Sequence, residues 1–205
     1  MSMQQEAFIA RQPILNTTQD IIGYELLFRA NAQAREAHVT HDVSAGASVL
    51  INMLNNMGPE QLLGGKLAFI NVFAPMLGNP MLELLPAKRV VLEIAAPVSA
   101  DEAVLSRISA LRGLGFAIAL DNFRGDTAQP PLLALADYIK VDVRQTEKQG
   151  LQQLARGFVG QHTQLIAQKI ESKSEFEFAK QLGINLFQGF HFARPETLTT
   201  KVIQP

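Results

Sequence analysis

The chain has no cysteine, no tryptophan and only two tyrosines, and neither charge is in excess: 18 Lys and Arg stand against 19 Asp and Glu in 205 residues. Without cysteine there is no disulfide and no thiolate zinc site, which fits a reducing compartment, and a cytoplasmic location is expected. A net charge of −1 offers no general basic surface for nucleic acid. Met1-Ser2-Met3-Gln4-Gln5-Glu6 has neither the basic start nor the apolar stretch of a secretory signal. No run approaches the roughly 18 uncharged apolar residues of a membrane span. Neither nucleic acid nor membrane is expected as a partner.

What remains is an ordinary globular composition, 47% hydrophobic and 18% charged, at a length that suits one domain with a sizeable core. Two strand-like segments, Phe8 to Leu15 and Ile21 to Arg29, flank the polar turn Asn16-Thr17-Thr18-Gln19-Asp20 and read as a hairpin. The spacing of Val49, Leu50, Met53 and Leu54 predicts a helix from Val43 to Asn56, stopped by Gly58-Pro59. Strands and helices then alternate. The strands are Leu67 to Phe73, Arg89 to Ala95, Phe116 to Phe123, Tyr138 to Val143, Gln164 to Ile170 and Ile184 to Phe192. The helices are Pro75 to Leu85, Asp101 to Leu114 (capped by Ser99), Thr146 to Val159 and Ser172 to Leu182.

Eight strands with intervening helices predict an α/β chain with a largely parallel sheet. A closed, TIM-like (β/α)8 barrel is favoured, with its first strand antiparallel because of the hairpin. Periodicity alone leaves an open doubly wound sheet as the alternative. In Phe116 to Phe123 the small Ala117 and Ala119 share a face with Asp121, which suits a crowded barrel interior and points Asp121 inward.

Strand after strand ends in a polar or charged residue: Glu25, Asn71, Glu93, Asp121, Lys140, Asp142, Gln168, Glu171 and Gln188. Singly, each reads as a polar strand end, and Glu25 with Arg29 as a surface ion pair. Unpaired charges are costly in a dry core, so their recurrence at consecutive strand ends predicts convergence on one metal- or phosphate-binding site. For Asp142, a structural pair with Lys140 and a place in the site are both open. His38, His41, His162 and His191 have no metal-ligand grouping, and Phe187, Phe190 and Phe192 read as barrel packing.

These motifs, in this order, resemble the EAL domains, barrel-shaped phosphodiesterases that open cyclic di-GMP to linear pGpG. The resemblance rests on Gln12-Pro13-Ile14, on Glu25-Leu26-Leu27-Phe28-Arg29 in the signature position, and on the Asn, Glu, Asp, Lys, Glu and Gln-Gly motifs that follow. Arg11-Gln12-Pro13-Ile14 with Gly23-Tyr24-Glu25 is similar to the subgroup in which an HDOD domain follows the EAL domain. The expected organisation is an EAL-like barrel over residues 1–195 and a tail or linker toward such a domain over 196–205.

The resemblance implies Mg²⁺ or Mn²⁺ held by Glu25, Asn71, Glu93 and Asp121. It assigns catalytic positions to Glu25, Lys140 and Glu171, and nucleotide contacts to Gln12, Arg29 and Gln188; Arg124, in a loop that departs from the family, is a further candidate for contact with the nucleotide. It also implies cyclic di-GMP as ligand, a protein partner or fused HDOD domain, and a homodimer as a frequent assembly. Two positions depart from the family: Asn122 stands where active members have a second aspartate, and Gln168 where they have a glutamate. Both belong to the second ion, and both substitutions remove charge while keeping size. The loop Phe123-Arg124-Gly125-Asp126 replaces a glycine-rich stretch and adds a cation.

The expectation is a degenerate member without efficient hydrolysis, acting as nucleotide sensor or protein-interaction module, with one weak ion or none. The alternatives are an active or weakly active phosphodiesterase, and a scaffold that binds neither nucleotide nor metal.

Overall fold

A computed structural model describes residues 4–29, 63–95, 98–123, 130–158 and 160–203. The helix expected from Val43 to Asn56 lies outside the described residues. The chain opens with the hairpin of β1 (Gln4–Asn16) and β2 (Ile21–Arg29). Its turn is closed by Asn16, whose side-chain oxygen accepts the backbone N–H groups of Thr18 at 2.9 Å and Asp20 at 2.8 Å. Then follow β3 (Leu67–Val72), α1 (Ala74–Leu77), β4 (Val90–Ala95), α2 (Glu102–Gly113) and β5 (Ala117–Asp121). The second half runs α3 (Pro130–Leu133), β6 (Tyr138–Asp142), α4 (Lys148–Phe158), β7 (Gln164–Gln168), α5 (Lys173–Gln181), β8 (Leu186–Phe187) and β9 (Glu196–Ile203).

The strand order β2-β3-β4-β5-β6-β7-β8-β1, with β1 paired back to β2, closes an eight-stranded barrel. β2 through β8 run parallel, and β1 is antiparallel to both of its barrel neighbours. The open-sheet alternative is thereby excluded. The interior is plugged by Ile14, Phe69, Val91, Ala119, Ile166 and Leu186, each 7% exposed or less. Burial of each of the larger ones contributes about 1.5–3 kcal/mol, and of Ala119 less. Gly23 makes room for the plug, since a Cβ there would meet the Phe69 ring at 2.8 Å. A larger apolar layer, including Ile70, Leu92, Ile94, Ile118 and Ile139, lies under the helices.

Local chemistry moves several boundaries. The helix expected over Pro75 to Leu85 is two pieces: α1, then a 3-10 turn at Pro80–Leu84. Pro80 has no N–H to continue the ladder and holds Asn79 extended, at φ −76° and ψ 120°. The cap of α2 is Asp101, not Ser99: its carboxylate accepts the Val104 N–H at 2.9 Å. α5 carries a capping box, with Ser172 and Glu175 satisfying each other's backbone N–H groups.

Two differences bear on the site. The strand expected from Ile184 to Phe192 is only two residues long, because beyond Phe187 the chain folds across the end of β7. There Ile170 N–H donates to the Gln188 carbonyl at 3.1 Å and His191 N–H to the Ile170 carbonyl at 2.9 Å. Gly189 permits this, since a Cβ would lie 2.1 Å from the Ile170 oxygen. Residues 196–205, read as a tail or linker, include β9, which pairs antiparallel with β1 from Gln4↔Ile203 to Arg11↔Glu196. β9 is a ninth strand outside the closed barrel.

Candidate functional site at the barrel mouth

Each plug residue is followed two positions later, or preceded in the antiparallel β1, by a polar one on the same inward face. Thus Ile14 is matched by Gln12, Phe69 by Asn71, Val91 by Glu93, Ala119 by Asp121, Ile166 by Gln168 and Leu186 by Gln188. The register Gln12↔Glu25 and Asn71↔Glu93 puts neighbours of the ring side by side. The alternation therefore builds a polar layer directly above an apolar floor, at the C-terminal end of the parallel strands.

Lys140 is its centre. Its ammonium lies 2.8 Å from Glu25 Oε2 and 2.7 Å from Glu93 Oε1, with all three side chains nearly or fully buried. Glu25 is further held by Asn71 Nδ2 at 3.0 Å and by Gln188 Nε2 at 2.6 Å. Gln188 Nε2 also donates to Gln12 Oε1 at 3.1 Å, and Gln12 Nε2 donates to the Ala193 carbonyl at 3.1 Å. Asp121 is bound by amides: Asn122 Nδ2 at 2.8 Å on one oxygen and Gln168 Nε2 at 3.1 Å on the other.

Burial opposes every charge here, and proximity decides the outcome. Burial would discharge Lys140, yet Glu25, Glu93 and Asp121 together hold its pKa above the usual lysine range. Burial would likewise protonate Glu25, but Lys140, Gln188 and Asn71 hold its carboxyl below the usual range. Glu93 goes the other way: burial first, then the Glu25 charge, push it well above the usual range despite Lys140. One of its oxygens, Oε2, is buried without a hydrogen-bond partner, as is Gln188 Oε1.

The structure gathers Gln12, Glu25, Asn71, Glu93, Asp121, Lys140, Gln168 and Gln188 into this layer, with Asn122 exposed at its rim. Glu171 is not in it. The chain leaves the barrel after Gln168, and Glu171 pairs with Arg144 at 2.6 Å, both half-exposed. Asp142 is buried but its partner is Lys169, at 2.7 Å, rather than Lys140. Burial raises and Lys169, Arg144 N–H and Gln145 N–H lower the Asp142 pKa, with a net fall. Arg29 ends β2, and Arg124 lies outside the described residues. Phe187 and Phe192 pack around Phe176 as expected, whereas Phe190 is 49% exposed beneath the Arg194 guanidinium. Sequence reasoning gave Lys169 no role, and nothing in spacing or composition marks it.

The donor set is oxygen throughout, which suits a hard divalent cation, and the orphaned Glu93 Oε2 is an atom such an ion would satisfy. Among the described residues no three His, Cys, Asp or Glu side chains are grouped to hold a metal. Around Asp121 the places for further carboxylates are taken by the Asn122 and Gln168 amides.

A mixed barrel with acids, amides and one lysine converging above an apolar plug is an α/β-barrel whose polar cluster lies at the end of the strands where such barrels carry their sites. The EAL domain family matches residues 81–195, more than half of the chain, and the chain belongs to that family. It is 28% identical over 197 residues to the uncharacterized protein YuxH of Bacillus subtilis, covering 94% of this chain and 48% of that protein. It is 27% identical over 201 residues to the cyclic di-GMP phosphodiesterase CdgJ of Vibrio cholerae, covering 97% and 46%. The chain thus spans about half the length of these curated relatives. The Klebsiella pneumoniae BlrP1 manganese and cyclic di-GMP complex matches with a TM-score of 0.75 at 20% identity, over 100% of this chain and 63% of that one. At that identity the likeness shows the fold. Among the described residues, no helix is long and apolar enough to cross a membrane.

Proposed function

We propose that this chain is a degenerate EAL domain of cyclic di-GMP signalling that senses the nucleotide or engages a protein partner, without efficient hydrolysis. It takes at most one divalent cation. The observation that carries this reading is the amide capping of Asp121 by Asn122 and Gln168.

Charge limits what the mouth can hold. Glu25, Glu93 and Asp121 bring three carboxyl groups, of which burial favours the protonated form of Glu93, against the one Lys140 ammonium, which leaves no more than two negative charges at the mouth. One divalent cation balances them; two would be left strongly repelling each other. Asn122 and Gln168 offer amide oxygens that can ligate but do not neutralise. An ion bound ~3 kcal/mol more weakly is bound about a hundredfold less often. Glu25, Asn71, Glu93 and Asp121 would hold such an ion, whose chemistry would be to polarise a phosphodiester oxygen and activate water. The chain's own residues hold Lys140 charged and Glu25 ionised beneath the ligand.

The same charge governs nucleotide binding. A mouth with net negative charge repels a phosphodiester, so ligand and cation bind together or Arg29 and Arg124 supply the attraction. The relatives' names support the ligand class: CdgJ is called a cyclic di-GMP phosphodiesterase, and BlrP1 was solved with cyclic di-GMP and manganese. A fused HDOD domain or a separate protein partner, a homodimeric assembly and a cytoplasmic location belong to the same proposal.

The second reading, a weakly active phosphodiesterase, is favoured by the survival of Glu25, Asn71, Glu93, Asp121 and Lys140 together in the mouth. Incubation with cyclic di-GMP and Mg²⁺ or Mn²⁺, followed by chromatography of pGpG, separates the two. No product is expected. Turnover abolished by Glu25→Ala would establish the second reading.

A further inference from the structure

Lys169 follows the last residue of β7 in the left-handed region, with φ of 61°. Glycine and asparagine enter that region readily, whereas a lysine crowds its own backbone there. Its side chain reaches back to Asp142, with Nζ 2.7 Å from Oδ2; the Asp142 side chain is 6% exposed and that of Lys169 50%. The other Asp142 oxygen accepts the backbone N–H groups of Arg144 at 2.9 Å and Gln145 at 3.2 Å. Both oxygens are therefore committed.

The ion pair closes a frame around Gln168. Asp142 and Gln168 are register partners across β6 and β7, and Val143 N–H donates to the Gln168 carbonyl at 3.2 Å. From that frame the Gln168 amide reaches Asp121. On the other side, Asn122 leaves β5 through a left-handed turn of its own, with φ of 51°, and caps the same carboxylate. Asp142 lies two residues beyond Lys140, on the same inward face of β6. It is the next carboxylate outward from that layer on β6, and Lys169 is the cation paired with it.

We propose that Lys169 is a positioning residue and a resident cation of the barrel mouth: it neutralises Asp142 and locks the turn that keeps Gln168 on Asp121, and so sets how strongly the mouth takes a divalent ion. The inference deepens the one-ion reading and rests on it, but it is measured as a difference between variants. Failure of either can therefore be told from failure of the other.

The experiment titrates the wild-type protein, Lys169→Met, Lys169→Gly and Lys169→Arg with Mn²⁺ alone by calorimetry, with urea unfolding of the same samples. Lys169→Met and Lys169→Gly free the Asp142 charge, and each is expected to bind Mn²⁺ about tenfold more tightly or to gain a second ion. Lys169→Arg is expected to behave as the wild type. Lys169→Gly, which relaxes the left-handed turn, is expected to keep a higher urea midpoint than Lys169→Met. It carries the test alone if the methionine variant does not fold. Mn²⁺ affinity and ion count unchanged within twofold in the neutralised variants would overturn the proposal, whatever the wild-type count. Hydrolysis of cyclic di-GMP by the wild type would overturn the inactive reading and leave this difference standing.

Discussion

The Lys140 ammonium bridges Glu25 and Glu93, 2.8 Å from one carboxylate and 2.7 Å from the other, so a single positive charge serves two buried acids. Removing it strands both. Lys140→Met is expected to lower stability by about 3–5 kcal/mol, the usual cost of orphaning buried charge. Adding Glu25→Gln to that variant should restore a substantial part. Urea denaturation of the single and double variants checks both statements, and equal midpoints would contradict the bridge.

The two acids respond to pH in opposite directions. The Glu93 pKa is raised in the fold, so its contribution is fully present below the ordinary 4.5 and is lost as pH rises through the folded-state value. The Glu25 pKa is lowered, so its contribution is present above 4.5 and is lost as pH falls through the folded-state value. Glu93→Gln keeps an acceptor for Lys140 and removes the titration. Wild-type stability should therefore decline more steeply than that of Glu93→Gln as pH rises above 4.5. Chemical denaturation across a pH series measures the difference in slope.

Restoring acids beside Asp121 should expose what the amides do. Asn122→Asp with Gln168→Glu replaces two donors by two charges around a third carboxylate. Without metal the variant is expected to be less stable than the wild type by about 1–3 kcal/mol. With Mn²⁺ it should bind the ion at least tenfold more tightly, as calorimetry would read. Destabilisation without any gain in ion affinity would place the defect in the loop that follows Asp121.

Gly189 offers a test of the mouth's framework rather than its charge. A Cβ there would lie 2.1 Å from the Ile170 carbonyl oxygen, against backbone that cannot yield cheaply. Gly189→Ala is expected to cost about 2–4 kcal/mol and to disturb Gln188, the neighbour of both Gln12 and Glu25. Thermal unfolding and the Gln188 side-chain amide resonances report the two effects separately.

Much of the fold was legible because period-two alternation is a local signal. Ala117, Ala119 and Asp121 announced their common face without any knowledge of the strands beside them. What failed to show depends on contacts distant in sequence. The end of β8 is set by where Gly189 meets Ile170, and the fate of Glu171 by the chain leaving the barrel after Gln168. Pro80 broke a helix that the apolar spacing on either side had favoured. The site residues announced themselves as polar strand ends, but their pairings did not. Asp142 was weighed against Lys140, two residues away, while its partner stands 27 positions on, in a backbone conformation that composition does not encode.

The plug of Ile14, Phe69, Val91, Ala119, Ile166 and Leu186 seals the barrel beneath the polar layer. Among the described residues, that floor closes the approach to Lys140 from below. Apolar packing between the strands, meanwhile, lies one storey down. Substitutions in the upper storey can therefore change its charge without repacking the floor beneath it.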